Sequence, residues 1–233
     1  MRKFLTGREE VLNVPLPSNT KTYTTISNKE FIETFEQQIE NHGFIPKSSQ
    51  YFLQRDGKKM MTKYFIEHHD SELGIQAVLV NSYDKSLSAK IAVGAVVWAC
   101  ENGCIRSSDY LSIRKHTGDA NGAIFGKMGT YIQSFGDEFQ QIYNDMISLK
   151  NVSLTNKTSA ELVGRMFMDE KIINLTQLGV IKNQSENSVH FKDLTGWSLY
   201  NWVTESLKDN IQTKDYIDKH IALHKFLKQE LIY

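Results

Sequence analysis

Residues 73–83 read LGIQAVLVNSY and residues 87–99 read LSAKIAVGAVVWA, with only Asp84, Lys85 and Ser86 between them. Both segments are rich in apolar and β-branched residues, and so short a connection predicts two antiparallel strands. Residues 91–98 are apolar at positions that face both sides of a sheet. This run is typical of a central strand covered on both faces or of a short buried helix, and its β-branched content favours the strand.

Further strands are predicted on both sides of this pair. Asp56-Gly57 and Asn102-Gly103 are dipeptides that favour hairpin turns, and apolar segments flank each of them. Short connections between successive strands predict an antiparallel meander. The predicted strands are 20–26, 44–54, 60–68, 73–83, 87–99, 104–106 and 110–115.

Helical spacing appears before and after the predicted strands. Ser27 and Glu30 form a capping box that begins a helix over residues 28–42, and Gly43 is expected to end it. Beyond residue 120, apolar residues recur at alternating spacings of four and three, which predicts one long helix. Its apolar seam either packs across the sheet or joins two subunits; it consists of Met128, Ile132, Phe135, Phe139, Ile142, Met146 and Leu149. Later helices are predicted at about 158–170, 174–182, 196–208 and 213–229.

These elements predict an α+β fold: an antiparallel β-meander with a long packing helix, followed by a helical C-terminal half. The predicted organisation is an N-terminal arm at 1–19, a β-rich half with one helix at 20–117, and an α-helical half at 118–233. The two halves are expected to pack as one domain, since 233 residues with 40% apolar content suffice for one large core.

Composition excludes several classes of protein. The chain has 27 basic and 27 acidic side chains, which argues against a strongly basic sheath for duplex DNA. The longest apolar run, residues 91–100, is half of the ~20 residues that cross a bilayer, and the N-terminus lacks the apolar core of a signal peptide. We therefore expect a cytoplasmic protein without a membrane partner.

The two cysteines are expected to be reduced thiols. If Asn102-Gly103 is a two-residue loop, Glu101 pairs with Cys104 and Cys100 with Ile105, so the two thiols point to opposite faces of the sheet. Such an arrangement argues against a disulfide. A C-x₃-C spacing without a second Cys/His pair also argues against zinc.

Neither a metal nor another cofactor is predicted. Adjacent His68 and His69 face opposite ways on a strand, so they do not share an ion. His220 and His224 have the i, i+4 spacing of helical metal ligands, but the rest of a zinc-protease motif is missing, and we expect a surface or core-edge pair. An enzyme is not favoured, although one in which His116 is a general base and Arg114 holds a phosphate stays open.

Cations and aromatic rings alternate in the predicted hairpin at residues 50–64. Single-stranded nucleic acid needs this combination, because charges follow the phosphates and rings stack on bases. The alternative is a solvated hairpin tip. A second basic stretch at the end of the strand series either contacts phosphate or is a solvated strand end. The candidate nucleic-acid-binding residues are Tyr51, Arg55, Lys58, Lys59, Lys63 and Tyr64, together with Arg114, Lys115 and His116.

Four short motifs occur in a characteristic order: NSYDKS at 81–86, WACENG at 98–103, IRKHTG at 113–118 and GWSLYN at 196–201. Together they resemble an uncharacterised phage- and plasmid-borne family, the domain of unknown function numbered 932, over about residues 75–205. The resemblance implies no activity. It implies a mobile-element context, hence a bacterial cytoplasm, near genes of DNA replication and recombination.

The expected function is single-stranded DNA binding in phage or mobile-element recombination or replication, including strand annealing. Known annealing proteins also combine a small sheet, a hairpin and a helix, and they assemble as rings, so a homo-oligomer is expected by analogy. The alternative is a protein-interaction module that counteracts host defence or regulates host machinery. Neutral charge and abundant aromatic residues fit that alternative equally well, with a host protein as the partner.

Overall fold

The computed structural model describes residues 5–18, 24–70, 72–106, 111–113, 120–208 and 215–233; for residues 111–113, 120 and 121 it describes the backbone alone. Within these residues, seven strands form one sheet in which every pairing is antiparallel. The sheet order is β1-β2-β3-β4-β5-β6, and β7 also pairs with β5. The strands are β1 (Leu5–Thr6), β2 (Pro46–Gln54), β3 (Lys59–Ile66), β4 (Leu73–Ser82), β5 (Ala89–Val97), β6 (Asn102–Cys104) and β7 (Leu111–Ile113).

Helices dominate the second half of the chain. Two helices lie in the N-terminal half, and six follow the last strand in the described part of the chain. The predicted α+β class is confirmed. The helices are α1 (Arg8–Leu12), α2 (Asn28–Asn41), α3 (Ala120–Gln133), α4 (Phe135–Asn151), α5 (Asn156–Met168), α6 (Leu175–Asn187), α7 (Gly196–Leu207) and α8 (Tyr216–Leu231).

The two faces of the sheet pack against different elements. Side chains on successive strand residues alternate between faces. The inner face, which carries Tyr64 and Leu79, joins the large core made with α2, α3 and α4. The outer face carries Phe52 and Val78, and it forms a smaller cluster with Tyr216 and other residues of the first turns of α8. The apolar run 91–98 is therefore a central strand covered on both faces, as predicted.

Helix α2 forms where the sequence predicts it. The Ser27 hydroxyl accepts a hydrogen bond from the Glu30 N–H at 3.3 Å, which satisfies one of the free donors of the first turn. Gly43 follows the helix with a φ of 77°, a conformation that glycine adopts at little cost. Phe31, Phe35 and the other apolar residues of the helix are buried against the inner face.

The prediction of a strand at residues 20–26 is wrong for its described part, since residues 24–26 form no strand. Side chains, not the backbone of a neighbouring strand, are the hydrogen-bond partners of the backbone in this segment and at the start of α2. The Asn81 side-chain amide donates to the Ile26 carbonyl at 2.8 Å. The Asn28 N–H donates to the Tyr83 hydroxyl, also at 2.8 Å. The alternation of Thr and Tyr residues at 20–26 could not reveal these partners.

The predicted long helix is interrupted at Ser134, which separates α3 from α4. The Ser134 hydroxyl and N–H both donate to the Tyr131 carbonyl, at 2.7 and 3.1 Å, and this local bonding breaks the helical ladder. Each of the seven seam side chains is nevertheless at most 2% exposed. The seam packs against the sheet within one chain, which is the first of the two alternatives.

The turn between β5 and β6 differs from the predicted Asn-Gly loop. Val97 pairs with Asn102 and Val96 with Gly103, so the turn comprises residues 98–101 and Asn102-Gly103 belongs to a strand. Glu101, with a φ of 56°, has the left-handed conformation that the prediction assigned to the dipeptide. Cys100 thus lies in the turn, and both cysteines are free thiols.

Strand β6 connects the sheet to the helical half. The Asn102 side-chain amide donates to the backbone carbonyl and to the side-chain oxygen of Asn201 in α7, both at 3.1 Å. Gly103 lies against Gln76 and Tyr216, whose oxygens would be 2.4 and 2.8 Å from a β-carbon at that position. Glycine is required here because both partners are fully buried.

The edges of the sheet are short or irregular. On one edge, Ala95–Val97 of β5 pair with β6, and Ala89–Ile91 pair with β7. Between them the Val93 N–H donates to the Tyr131 hydroxyl at 3.2 Å. On the other edge, β1 has two residues, and the register of β2 shifts between Pro46 and Ser48.

Helix α8 crosses the edge of the sheet at β6. Its first turns place Tyr216 and Ile217 on the outer face, and its later turns place Leu223 and Leu227 in the large core. None of the described helices combines the length and the apolar content of a membrane-spanning helix.

We predict that Gly94→Ala destabilises the protein by at least about 2 kcal/mol, because an added β-carbon would lie 2.0 Å from the Cys104 carbonyl oxygen of the paired strand. Urea unfolding followed by circular dichroism measures the effect. Gly164→Ala in α5 is the control, since nothing lies within 4 Å of its β-carbon, and it should be neutral or stabilising by up to about 1 kcal/mol. Equal effects of the two substitutions would contradict the prediction.

Candidate nucleic-acid interface

One end of the sheet brings together three segments that are distant in sequence. Gln54 pairs with Lys59, so residues 55–58 connect β2 to β3 at this end. Lys59 also pairs with Ser82, which precedes the β4–β5 turn. The last residue of β7, Ile113, pairs with Ala89 at the start of β5. We call residues 55–58 and 83–88, together with the end of β7 at Ile113, the tip end.

The β2–β3 connection has four residues, one fewer than the predicted strands 44–54 and 60–68 leave between them. Arg55, Asp56 and Gly57 have φ values of 51°, 54° and 80°, three successive residues in the left-handed region. The Lys58 N–H donates to the Arg55 carbonyl at 3.1 Å and closes the loop. Asp56-Gly57 correctly marks the hairpin.

Asp84 links the two loops of the tip end. Its carboxylate accepts hydrogen bonds from the N–H and the hydroxyl of Ser86. It also lies 3.6 Å from Arg55 Nη1 and 4.0 Å from Lys59 Nζ. Burial raises the pKa of Asp84, but the Ser86 hydrogen bonds and the two cations outweigh it and lower the pKa below its usual value. Asp84 therefore stays ionised and holds the hairpin against the β4–β5 turn.

The four predicted cations of the hairpin divide into two pairs. Arg55 and Lys58 are exposed, with 66% of the Arg55 side chain accessible to solvent. Lys59 and Lys63 point to the outer face and are buried. The Lys63 ammonium lies 3.9 Å from the centroid of the Tyr216 ring, within the outer cluster. Lys85, which the sequence analysis did not select, is exposed beside Asp84 at the tip end.

The two predicted stacking tyrosines lie on the inner face, on the opposite side of the sheet from Lys59 and Lys63. The hydroxyls of Tyr64 and Tyr51 donate to Glu36 Oε1 at 2.9 and 3.2 Å. The Glu36 carboxylate also accepts from Arg8 Nη2 at 2.6 Å, and this hydrogen bond raises the Arg8 pKa. Burial raises the pKa of Tyr64. These rings anchor the N-terminal segment and α2, and neither ring face is open to a base.

Arg114, Lys115 and His116 lie outside the described residues. The described residue before them, Ile113, is at the tip end, because it pairs with Ala89. Strand β7 therefore ends at the same end of the sheet as Arg55 and Lys58.

Several residues of the short motifs noted in the sequence have structural roles in the fold. Asn81 and Tyr83 of the first motif bind the chain at the start of α2. Asn102 of the second motif donates to Asn201 of the fourth. In the fourth motif, the rings of Trp197 and Tyr200 stack with centroids 5.4 Å apart. These six motif residues thus contact one another or anchor helices.

A chain of polar groups inside the helical half resembles a catalytic relay in composition. The Tyr200 hydroxyl hydrogen-bonds with the Cys104 thiol and with His224 Nδ1, the latter at 3.3 Å. His224 Nε2 lies 3.0 Å from Asp145 Oδ2, which also accepts from Lys228 Nζ. Cys104 is fully buried, and burial raises its pKa far above that of a reactive thiol. These polar groups join α4, α7, α8 and β6.

The prediction of a surface or core-edge position for His220 and His224 is wrong. The two histidines are 1% and 4% exposed, because they lie on the side of α8 that faces the sheet edge and the core. Both ring nitrogens of His220 lack a hydrogen-bond partner in the described part of the chain. The described residues contain no group of three or more His, Cys, Asp or Glu side chains that could hold a metal ion.

Comparison with known proteins yields one match. The model of one family, described as a domain of unknown function (DUF932), matches residues 15–227. No curated protein and no solved structure matches the chain.

We predict that stability falls below pH 6.5 because of His220. Burial, and then the charge of Lys63, lower the His220 pKa from 6.5 to about 3, so the unfolded chain takes up a proton that the folded chain does not. One such group reduces the free energy of unfolding by up to about 1.4 kcal/mol per pH unit. Urea unfolding at pH 7 and pH 5 measures this slope.

His220→Gln should reduce the slope, because glutamine does not titrate. His190→Gln, at an exposed position, is the matched control and should leave the slope unchanged. A slope that is the same in His220→Gln as in the natural chain would refute the assignment.

Proposed function

We propose that this chain, which belongs to the DUF932 family, binds single-stranded DNA through its phosphates and promotes the annealing of complementary strands. The observation that carries the proposal is the exposure of Arg55, Lys58 and Lys85 at the tip end. Phosphate contacts supply most of the affinity of sequence-independent binding, and clustered cations provide them.

The charge balance at the tip end favours an anion. Asp84, one of its two acids, is engaged by Ser86 and Lys59, so its charge is largely offset. The contact between Asp84 and the exposed Arg55 at 3.6 Å is a surface ion pair of small net value. The Arg55 guanidinium is therefore able to exchange this partner for a phosphate, with which it forms paired hydrogen bonds.

The buried tyrosines define the mode of binding. Because Tyr51 and Tyr64 bond to Glu36 in the interior, they are left out of the proposed interface, and so are the buried Lys59 and Lys63. Without stacking platforms among the tip-end residues, bases are held less tightly and stay open to a second strand. A protein that holds only phosphates suits annealing better than protection of single strands.

The proposed setting is recombination or replication of a phage or another mobile element in a bacterial cytoplasm. One tip end contacts few phosphates, so its affinity alone is modest. Several copies side by side would add contacts along one strand, and the proposal therefore includes a homo-oligomer.

We predict that Arg55→Glu/Lys58→Glu lowers the affinity for a fluorescent 30-nucleotide DNA at least tenfold in 50 mM salt, since two attractive charges become repulsive. Fluorescence anisotropy measures the binding. Lys157→Glu/Lys192→Glu changes the net charge equally at exposed positions in the helical half and should weaken binding less than twofold. Equal losses in the two variants would mean that net charge, not the tip end, governs binding.

The salt dependence is a second readout of the same interface. Each phosphate contact contributes about −0.7 to the slope of log K against log salt for single strands. Arg55→Glu/Lys58→Glu should reduce the magnitude of the slope by about 1.4. Binding by the natural chain that is independent of salt, or absent below about 10 µM at low salt, would overturn the proposal.

The contribution of Arg114 and Lys115 is tested separately. Arg114→Glu/Lys115→Glu is expected to lower DNA affinity as strongly as the hairpin variant, because β7 ends at the tip end. The control is again Lys157→Glu/Lys192→Glu, at exposed positions in the helical half. An unchanged affinity in Arg114→Glu/Lys115→Glu would limit the interface to the hairpin and the β4–β5 turn.

A specific surface feature favours the second candidate, a protein-interaction module directed at a host protein. Met168 and Leu175 flank the α5–α6 connection and are 68% and 74% exposed. The two residues lie at the two ends of one six-residue connection, and exposed apolar side chains that lie in the same region of a surface are typical of interaction sites. Capture of one host protein by the natural chain, but not by Met168→Ser/Leu175→Ser, together with absent DNA binding, would favour this candidate over the first.

A further inference from the structure

A groove with a volume of about 600 Å³ opens between α5 and α6 in the helical half. Ala160 and Val163 line it from α5, Leu178 and Ile181 from α6, and Leu199 and Trp202 of α7 contribute to its wall. A concave site of this size with mostly apolar walls is within the range of small-molecule pockets.

The connection between the two helices is anchored in the core. Residues Ile172 and Ile173 of this connection are buried, and their N–H groups both donate to the Met166 carbonyl. The connection is thereby anchored in the core and not extended above it. Trp202 of α7 lines the groove together with residues of both helices.

One polar group in the groove wall is unsatisfied. Ser159 is 8% exposed, and its hydroxyl has no hydrogen-bond partner among the residues that the structure describes. In an α-helix, a serine hydroxyl commonly bonds to the carbonyl four residues earlier, and this one does not. A buried unpaired hydroxyl costs about 1–3 kcal/mol, which a ligand with an acceptor oxygen would recover.

The rim of the groove carries balanced charges. Lys182 and Glu186 both line it from successive turns of α6, one cation and one anion. Asn156 and Ser185 add neutral polar groups. A ligand with a net charge would be attracted by one rim group and repelled by the other, so the rim favours no net charge.

We propose that this groove binds a neutral amphiphilic small molecule with an apolar body and a hydroxyl or carbonyl oxygen that accepts from Ser159. The apolar body packs against Val163, Leu178 and Trp202. The Ser159 oxygen is itself shielded in the unliganded groove, so the hydroxyl rotates about χ1 to donate to the ligand oxygen. A protein helix is a poorer occupant, because stable protein interfaces bury more than about 1,000 Å², well beyond this groove. The site shares no residue with the tip end and is independent of DNA binding.

The test is a fluorescence titration of the full chain with 1-aminoanthracene, a neutral apolar probe that brightens in apolar surroundings. We expect saturable binding to one site per chain and competitive displacement by decanol. Decanol should displace the probe at lower concentration than either decanoate or decylamine, because the rim charges balance. No saturable binding by the folded chain would overturn the proposal.

Groove-filling variants locate the site. Ala160→Trp should abolish probe binding by occupying the groove, whereas Glu161→Trp, on the same helix but outside the groove, should leave it within twofold. Circular dichroism and the urea midpoint confirm that both variants fold. If Ala160→Trp does not fold, the smaller substitution Ala160→Met tests the site instead. It should lower the affinity for the probe at least threefold. Undiminished binding in the folded groove variant would refute the site.

Two conservative variants test the recognition chemistry. Ser159→Ala should weaken the binding of decanol three- to tenfold. The affinity for the probe, which carries no acceptor oxygen, should stay unchanged. Lys182→Gln leaves Glu186 as the charged rim group and should shift the preference among the three competitors toward decylamine. An equal loss of affinity for decanol and for the probe in Ser159→Ala would refute the role of the hydroxyl.

Discussion

The hydrogen bonds from the Asn102 side chain to Asn201 join the sheet to the helical half, and much of the architecture depends on them. Asn102 belongs to β6, a strand of three residues that has little stability of its own. Its neighbours in the strand are held equally closely: Gly103 by Gln76 and Tyr216, and Cys104 by Tyr200. One short strand therefore meets β5, α7 and α8, and sheet and helices share a single core.

The separation of stability from function is clear in the described motifs. Asn81, Tyr83, Asn102 and Asn201 are buried and bond to other protein groups, so they explain folding and not ligand binding. The exposed cations of the tip end lie on loops that Asp84 holds in place. A rigid frame that presents charged loops is a common arrangement in binding proteins.

Sequence patterns predicted most of the elements but not the partners of their polar residues. Period-two and helical spacing located the strands and helices, because burial imposes those periods. Asn102-Gly103 suggested a turn, yet its role is a side-chain contact with a residue 99 positions away. Alternation along β2 and β3 implies that Tyr64 and Lys63 face opposite sides, but only the fold reveals that Glu36 covers one and Tyr216 the other. The sequence did not predict Lys85 as a site residue, because no local sequence pattern relates it to Arg55.

The irregular edges of the sheet also affect how the protein behaves at high concentration. A long, flat edge strand is a template on which other chains add as β-strands and begin to aggregate. Here one edge is divided between β6 and β7, and at the other the register shift at Pro46 and the charge of Lys47 interrupt the exposed part of β2. Within the described residues, neither edge offers a continuous ladder, and this irregularity disfavours fibril growth from the edges of the sheet.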